Sequence, residues 1–416
     1  MNKRLILAEQ IFTVVSLVNY TGGPLAVILS GGASEGDNSI VTANYALIQL
    51  VFFLNYAISF FLLVLRWKKV LTIMSKDRYI IVLIGLCFLS YLWSPVPSTT
   101  LVRSVALLGT TLFGVYLGTR YSLKEQLQLL AWTFGIVIIL SLLFIVALPK
   151  YGIMGGKHAG AWRGIFTHKN VLGKVMILSG LIFLLTALNQ NKYRCLLWVG
   201  LGFSMILLLL ARSSSSVINF LIILIALFFI KTVRLPYILM LPTLLLLAVI
   251  GQFSYLAIVD NLEYLLGAMG KDTTLTGRAD LWPAVLDKIW ERPWLGYGFS
   301  GFWGEWDSES AYVWRATKWN PPNSHNGLLD TWLDLGLVGL SIYLLGFLVN
   351  AFKGLAWVRI SKSWDGFWPI LCMIYFWLSN QTESALLRQN EIYWLLYVTV
   401  ILSMLKYPDS LKKINI

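Results

Sequence analysis

Charge is what this 416-residue chain has least of: 13% of its residues are charged, and its mean hydropathy is +0.71. Soluble domains carry about twice that charged fraction, which excludes a water-soluble globular fold and points to a polytopic membrane protein. Cysteine is nearly missing. Cys87, Cys195 and Cys372 each fall in or at the edge of an apolar run, so a disulfide framework or thiolate metal cluster is excluded and the three are expected to pack in the bundle. Histidine is as scarce. His158, His168 and His325 come without an H-E-x-x-H or C-x-x-C pattern, and no metal site or other cofactor is expected. No internal repeat, low-complexity tract or soluble appendage is present, and no small-residue cleavage site follows the first basic residues. Residues 1–416 therefore read as one transmembrane domain, its first apolar segment kept as an anchor.

What the chain does have is apolar runs of about twenty residues, enough for about twelve membrane-spanning helices in an all-α polytopic bundle. The net charge of +13 does not imply nucleic acid, because the basic residues sit in short turns such as RWKK, NQNKYR and KTVR. The alternate turns SGGASEGDNS and SPVPSTT contain no Lys or Arg, so the positive-inside rule places both termini in the cytoplasm and makes membrane lipid the general partner. Two loops then face outward, 150–170 and 258–325. The second is the longest polar interruption, is inserted before the tenth spanning helix and is expected to fold as short amphipathic helices. Both are basic on the side where basic residues are disfavoured, which asks for an anionic ligand.

His325 stands within PPNSHNG just before an apolar run, so it is expected in the first turn of a helix with Asn323 or Ser324 as cap. A helix start disfavours added positive charge, which suits a general base; a lone histidine there also serves as a cap or interface residue. Arg278, in TGRADLW, opens a segment with helical apolar spacing that is expected to lie on the bilayer surface, starting or bending near Pro283. Arg292 is expected to close that helix before the Gly296 and Gly298 turn.

In the other loop, GGKHAGAWRGIFTHKN, glycines permit close backbone approach while Lys157, Arg163 and Lys169 supply charge. Arg163 is preferred as a phosphate contact for its planar fork, with lipid headgroups as the alternative ligand. Ionisable residues inside apolar runs are costly in lipid and are expected to face the interior: Arg103, Asp330, Asp334 and Glu383. Asp330 and Asp334, below Asn326 on one helical face, line an acceptor cavity or neutralise Arg103. Arg212 with Ser213 to Ser216 either helps hold an oxyanion or leaves the serines satisfying one another. Seven tryptophans of the large loop fit an interfacial belt, with sugar stacking as the sharper alternative.

WRGIFTHKNVLG in one outward loop, TGRADLW followed by RPWLGYGF in the larger one, and SHNGLLDTWLDLGLVGL leaving it together resemble the O-antigen ligase and polymerase superfamily, over roughly residues 100–400. The resemblance implies an inverting, metal-independent glycosyltransferase of the bacterial inner membrane. It moves a glycan from a polyprenyl (undecaprenyl) diphosphate to a sugar hydroxyl on the periplasmic face. Arg163 and Arg278 would bind the diphosphate and His325 would activate the acceptor hydroxyl. Arg103, Arg212, Lys169, Asn326, Asp330 and Glu383 are supporting candidates. THKN after Arg163 favours a surface-polysaccharide polymerase; a ligase joining O-antigen to lipid A core is the alternative. A transporter for an anionic or sugar substrate is disfavoured because neither paired halves nor broken helices in corresponding positions are apparent.

Overall fold

The computed structural model describes residues 3–32, 46–190, 192–236, 239 and 278–406. Among them the secondary structure is helical, apart from an isolated bridge between Ile153 and Trp162. The first stretch holds α1 (Lys3–Tyr20), α2 (Leu25–Leu29), α3 (Ala46–Val64), α4 (Trp67–Met74), α5 (Tyr79–Leu89), α6 (Pro97–Arg120), α7 (Leu123–Ala147) and α8 (Pro149–Gly152). Then come α9 (Lys169–Asn189), α10 (Arg194–Leu210) and α11 (Ser214–Thr232). The last stretch holds α12 (Arg278–Glu291), α13 (Ser310–Thr317), α14 (Gly327–Ile360), α15 (Trp368–Thr382) and α16 (Ile392–Leu405). Six of these, α3, α6, α7, α9, α11 and α14, are long and apolar enough to cross a membrane. The protein is thus all-α and polytopic. The expected run over 236–257 lies almost wholly outside the described residues, as does 258–277.

Small residues let these helices approach closely, as membrane helices without a hydrophobic drive between them require. On α6, a Cβ at Gly114 or Gly118 would lie 2.8 Å from the Leu395 carbonyl oxygen or 2.9 Å from that of Thr399, so α6 and α16 pack backbone to backbone. Cys87 and Cys372 are buried as expected, whereas Cys195 is exposed, because it opens α10 at the end of the bundle.

The connections gather at two ends. At one, buried Glu9 pairs with Arg66 (2.8 Å) and Arg120 (3.1 Å), and the Nζ groups of Lys76 and Lys406 donate to the carbonyls of Leu405 and Tyr121. At the other, Phe299 N–H donates to Ser90 Oγ and Trp93 Nε1 donates to the Leu295 carbonyl, tying the large loop to the α5–α6 turn.

The described part of that loop has its own small core of Leu281, Val285, Ile289, Tyr297, Phe302, Val313 and Leu333. This corrects the expectation that α12 lies on the bilayer: Leu281, Val285 and Ile289 are buried in protein, and the tryptophans left exposed are Trp290, Trp294, Trp306 and Trp319. Pro283 sits inside α12 and does not start it. The loss of one backbone hydrogen bond is tolerated where the neighbouring side chains are packed.

α14 is broken at Gly336, whose φ of 65° is left-handed. The strand of loop 293–297 fills the break. Leu337 N–H donates to Pro293 O (2.8 Å), Val338 N–H to Trp294 O (3.2 Å), and Tyr297 N–H to Leu333 O (2.7 Å), satisfying groups that an interrupted helix leaves unpaired. Among the described helices the break has no counterpart in a second half.

Candidate functional site around His325

The turn Asn323-Ser324-His325-Asn326 is built from side chains that bond their own backbone. His325 N–H donates to Asn323 Oδ1 (2.9 Å), and Asn326 Oδ1 accepts from the N–H groups of Leu328 and Leu329. The cap of α14 is therefore Asn326, one step beyond the expected Asn323 or Ser324, and His325 stands just outside the helix. Its φ of 52° is left-handed, a costly conformation for a residue with a side chain, of the kind found at functional sites.

This twist aims the imidazole at Glu383, which caps the C-terminus of α15: Nδ1 and Oε2 are 3.6 Å apart, with the two side chains 24% and 18% exposed. The separation exceeds a hydrogen bond, as catalytic contacts often do before substrate arrives. Nδ1 is buried without a hydrogen-bond partner, and Trp319 stacks beside the ring at 6.0 Å.

Glu383 also connects His325 to the first turns of α9. Lys174 Nζ lies 4.0 Å from its carboxylate and Asn170 Nδ2 donates to Oε1 at 3.5 Å. His168 caps α9 by accepting the Asn170 N–H at Nδ1, and the ring of His158 lies edge-on at 5.6 Å. Desolvation, then the neighbouring His158, holds the His168 pKa down at about 4, with Lys169 and Lys174 acting in the same direction and Glu383 against them. A neutral imidazole is what this cap needs. Lys169 Nζ donates to the carbonyl of Arg212, an exposed residue in left-handed backbone, and Ser213 and Ser216 bond one another at 2.9 Å. Of the two readings of that serine run, mutual satisfaction is the one observed.

Asp330, one turn into α14, is buried and accepts from Ser324 N–H (3.0 Å), Trp303 Nε1 (2.9 Å) and Ser384 Oγ. Arg388 Nη2 lies 3.6 Å from the same carboxylate. Arg103 is exposed, contrary to the interior position expected, because it lies near the start of α6 at this end; its charge is felt by Arg388 and Asp334.

Arg163 departs most from expectation. Its guanidinium is 1% exposed and donates to four carbonyls: Tyr151 (2.8 Å), Lys150 (2.9 Å), Gly32 (2.6 Å) and Thr167 (3.4 Å). In this arrangement the planar fork holds loop 150–168 together, and no face of it is presented to a phosphate. Arg278 opens α12; its side chain, like that of Lys157, lies outside the described residues. Its backbone position is informative, since Trp282, one turn on, donates through Nε1 to the carbonyl of Ser324 (3.1 Å), the neighbour of His325. Arg292 closes α12 as expected, stacking on Tyr297 and pairing with Glu309.

Lys174, Asn170, Arg388 and Trp319 belong to this site and were not legible as such. Lys174 sits within an apolar helix, and Arg388 is in a short loop with no motif of its own. The one available signal was that each is a charged residue in or beside an apolar run, where charge is costly.

Fold and site together define a polytopic helical membrane protein with a histidine–carboxylate pair and nearby Lys174 at one end. The profile of the O-antigen ligase family matches residues 196–344, which hold Arg278 and His325 but neither Arg163 nor Glu383. Over that part, about a third of its length, the chain is similar to the O-antigen ligase and polymerase superfamily. It is 32% identical over 112 residues to the exopolysaccharide production protein ExoQ of Rhizobium meliloti (strain 1021), 26% of each chain. It is 28% identical over 140 residues, 32% of each chain, to a protein named as a polysaccharide ligase in Rickettsia felis (strain ATCC VR-1525 / URRWXCal2). The alignments thus span about a quarter to a third of the length of these relatives.

Proposed function

We propose that this protein is a glycosyltransferase of the bacterial inner membrane. It moves a glycan from an undecaprenyl diphosphate to a sugar hydroxyl at the periplasmic face and acts as a surface-polysaccharide polymerase. The observation that carries the reading is the His325 ring, turned by a strained turn toward Glu383, which Lys174 also approaches, with Arg388 on the neighbouring Asp330 and the first turn of α12 bonded to Ser324. With Nδ1 facing the carboxylate, Nε2 is the nitrogen left to accept a proton. The acceptor oxygen attacks the anomeric carbon, its proton passes to His325, and the bond to the diphosphate oxygen breaks with its electron pair leaving on the diphosphate. Arg278, with Arg388 and Lys174, stabilises that charge, so no strong general acid is needed. Arg163 contributes by fixing the loop that leads into α9.

The polymerase reading draws on the likeness to an exopolysaccharide production protein, and the likeness to a protein named as a polysaccharide ligase favours transfer to lipid A core as the second reading. The test is turnover by purified protein of an undecaprenyl-diphosphate oligosaccharide, with a second lipid-linked repeat or lipid A core as acceptor. A ladder is expected with the first acceptor; a single transfer to the core would favour the ligase. His325→Ala is expected to lower turnover about a hundredfold to ten-thousandfold with thermal stability and donor binding largely kept. Normal turnover in a destabilised variant would reduce His325 to a turn residue.

A further inference from the structure

Asp330 touches neither His325 nor Glu383, yet it binds the chain neighbour of each. Its Oδ1 accepts the backbone N–H of Ser324, immediately before His325, and its Oδ2 accepts the hydroxyl of Ser384, immediately after Glu383. Trp303 Nε1 and Arg388 complete the shell around a carboxylate on the rigid first turn of α14, directly behind the Asn326 cap. The turn carrying His325 directly precedes α14 and Glu383 caps the end of α15, so the two residues sit on the ends of different helices, more than fifty positions apart in the sequence. Ser384 Oγ also lies 3.4 Å from Asn323 Oδ1, the acceptor that holds His325 in its left-handed backbone.

We infer that Asp330 is the positioning residue of the site: a buried carboxylate that bridges the two helix ends and so sets the distance and angle between the His325 imidazole and the Glu383 carboxylate. The inference rests on the proposed role of His325. A carboxylate suits the task because its two oxygens accept several donors at once, and a buried ion bound this way resists displacement. Catalysis by the pair is sensitive to such support, since a misplacement of about 1 Å can cost a hundredfold in rate.

Two substitutions separate positioning from charge. Ser384→Ala removes one arm of the bridge with the Asp330–Arg388 pair retained; Asp330→Asn removes the charge and weakens both arms. Turnover of an undecaprenyl-diphosphate oligosaccharide by the full-length protein is expected to show kcat about tenfold lower for Ser384→Ala and about a hundredfold lower for Asp330→Asn. The donor KM of Ser384→Ala is expected to stay within about twofold of the parent, within the scatter expected for an unaffected binding step. A cycle with Glu383→Gln supplies the second readout: Asp330→Asn is expected to cost little further kcat once Glu383 is Gln, because the pair it aligns no longer exists. Unchanged kcat in both single variants, or full additivity with Glu383→Gln, would overturn the positioning role. His325→Ala run alongside keeps the two readings apart: if it turns over normally, the proposed chemistry fails, whereas if it is inactive and the Asp330 and Ser384 variants are normal, only the positioning role fails.

Discussion

Arg163 and His325 occupy loops of similar composition at the same end of the bundle, yet their surroundings are opposite. The guanidinium is buried among carbonyls and the imidazole stands half-exposed beside a carboxylate. Residue type alone made both look like ligand contacts, because a planar cation suits a diphosphate and a ring of carbonyl oxygens equally well. The difference predicts different phenotypes. Arg163→Lys leaves at least one buried carbonyl without its donor and is expected to cost about 1–3 kcal/mol of stability, read as a lower melting temperature in detergent. Its turnover per folded molecule is expected to stay near normal. Arg278→Lys is expected to keep the melting temperature and lose turnover at least about tenfold, because an ammonium lacks the bidentate fork. Loss of turnover without loss of stability in Arg163→Lys would return that residue to the diphosphate.

At the scale of elements, the join between α14 and loop 293–297 decides whether the large loop has a fixed seat. A Cβ at Gly336 would lie 2.0 Å from the Trp294 carbonyl oxygen, and one at Gly296 would lie 2.3 Å from that of Leu333. Two glycines from distant parts of the sequence therefore face one another across the break, and the upper turns of α14, which carry Asn326 and Asp330, take their tilt from it. Gly336→Ala is expected to cost about 2–4 kcal/mol through left-handed strain and backbone overlap, and to make the loop more sensitive to protease. Thermal unfolding and limited proteolysis check this; a variant as stable and as resistant as the parent would mean that the break tolerates a side chain. GLVGL reads as an ordinary apolar helix segment in the sequence. Nothing local reveals the break, because its partner carbonyls come from RPWLGYGF some forty positions earlier.

The whole molecule is polarised, with Glu9, Arg66, Arg120 and Lys406 at one end and the His325–Glu383 pair at the other. The proposed chemistry requires the second end to face the periplasm. In a Cys195→Ser background, Asp307→Cys is expected to react with a membrane-impermeant maleimide on intact spheroplasts, and Lys192→Cys only after permeabilisation, both parent side chains being exposed. The reverse pattern would invert the topology and remove the lipid-linked donor from reach.

Composition and run length by themselves determined that the chain is an all-α membrane protein, because burying this much apolar surface in lipid leaves the helix as the form that satisfies its own backbone. Motif order carried the likeness to the superfamily and pointed to His325, since the turn PPNSHN followed by an apolar helix carries its own local chemistry. Only the tertiary structure decided which groups meet His325. Glu383 reaches it from α15, Lys174 approaches Glu383 from α9, Asp330 braces it through the backbone, and Arg163 turns inward to carbonyls. The physical reason is that helical periodicity and capping are local interactions, written within a few residues. The partner of a charged side chain at a helix end is set by how the helices pack, and that is a sum over contacts between segments far apart in the chain.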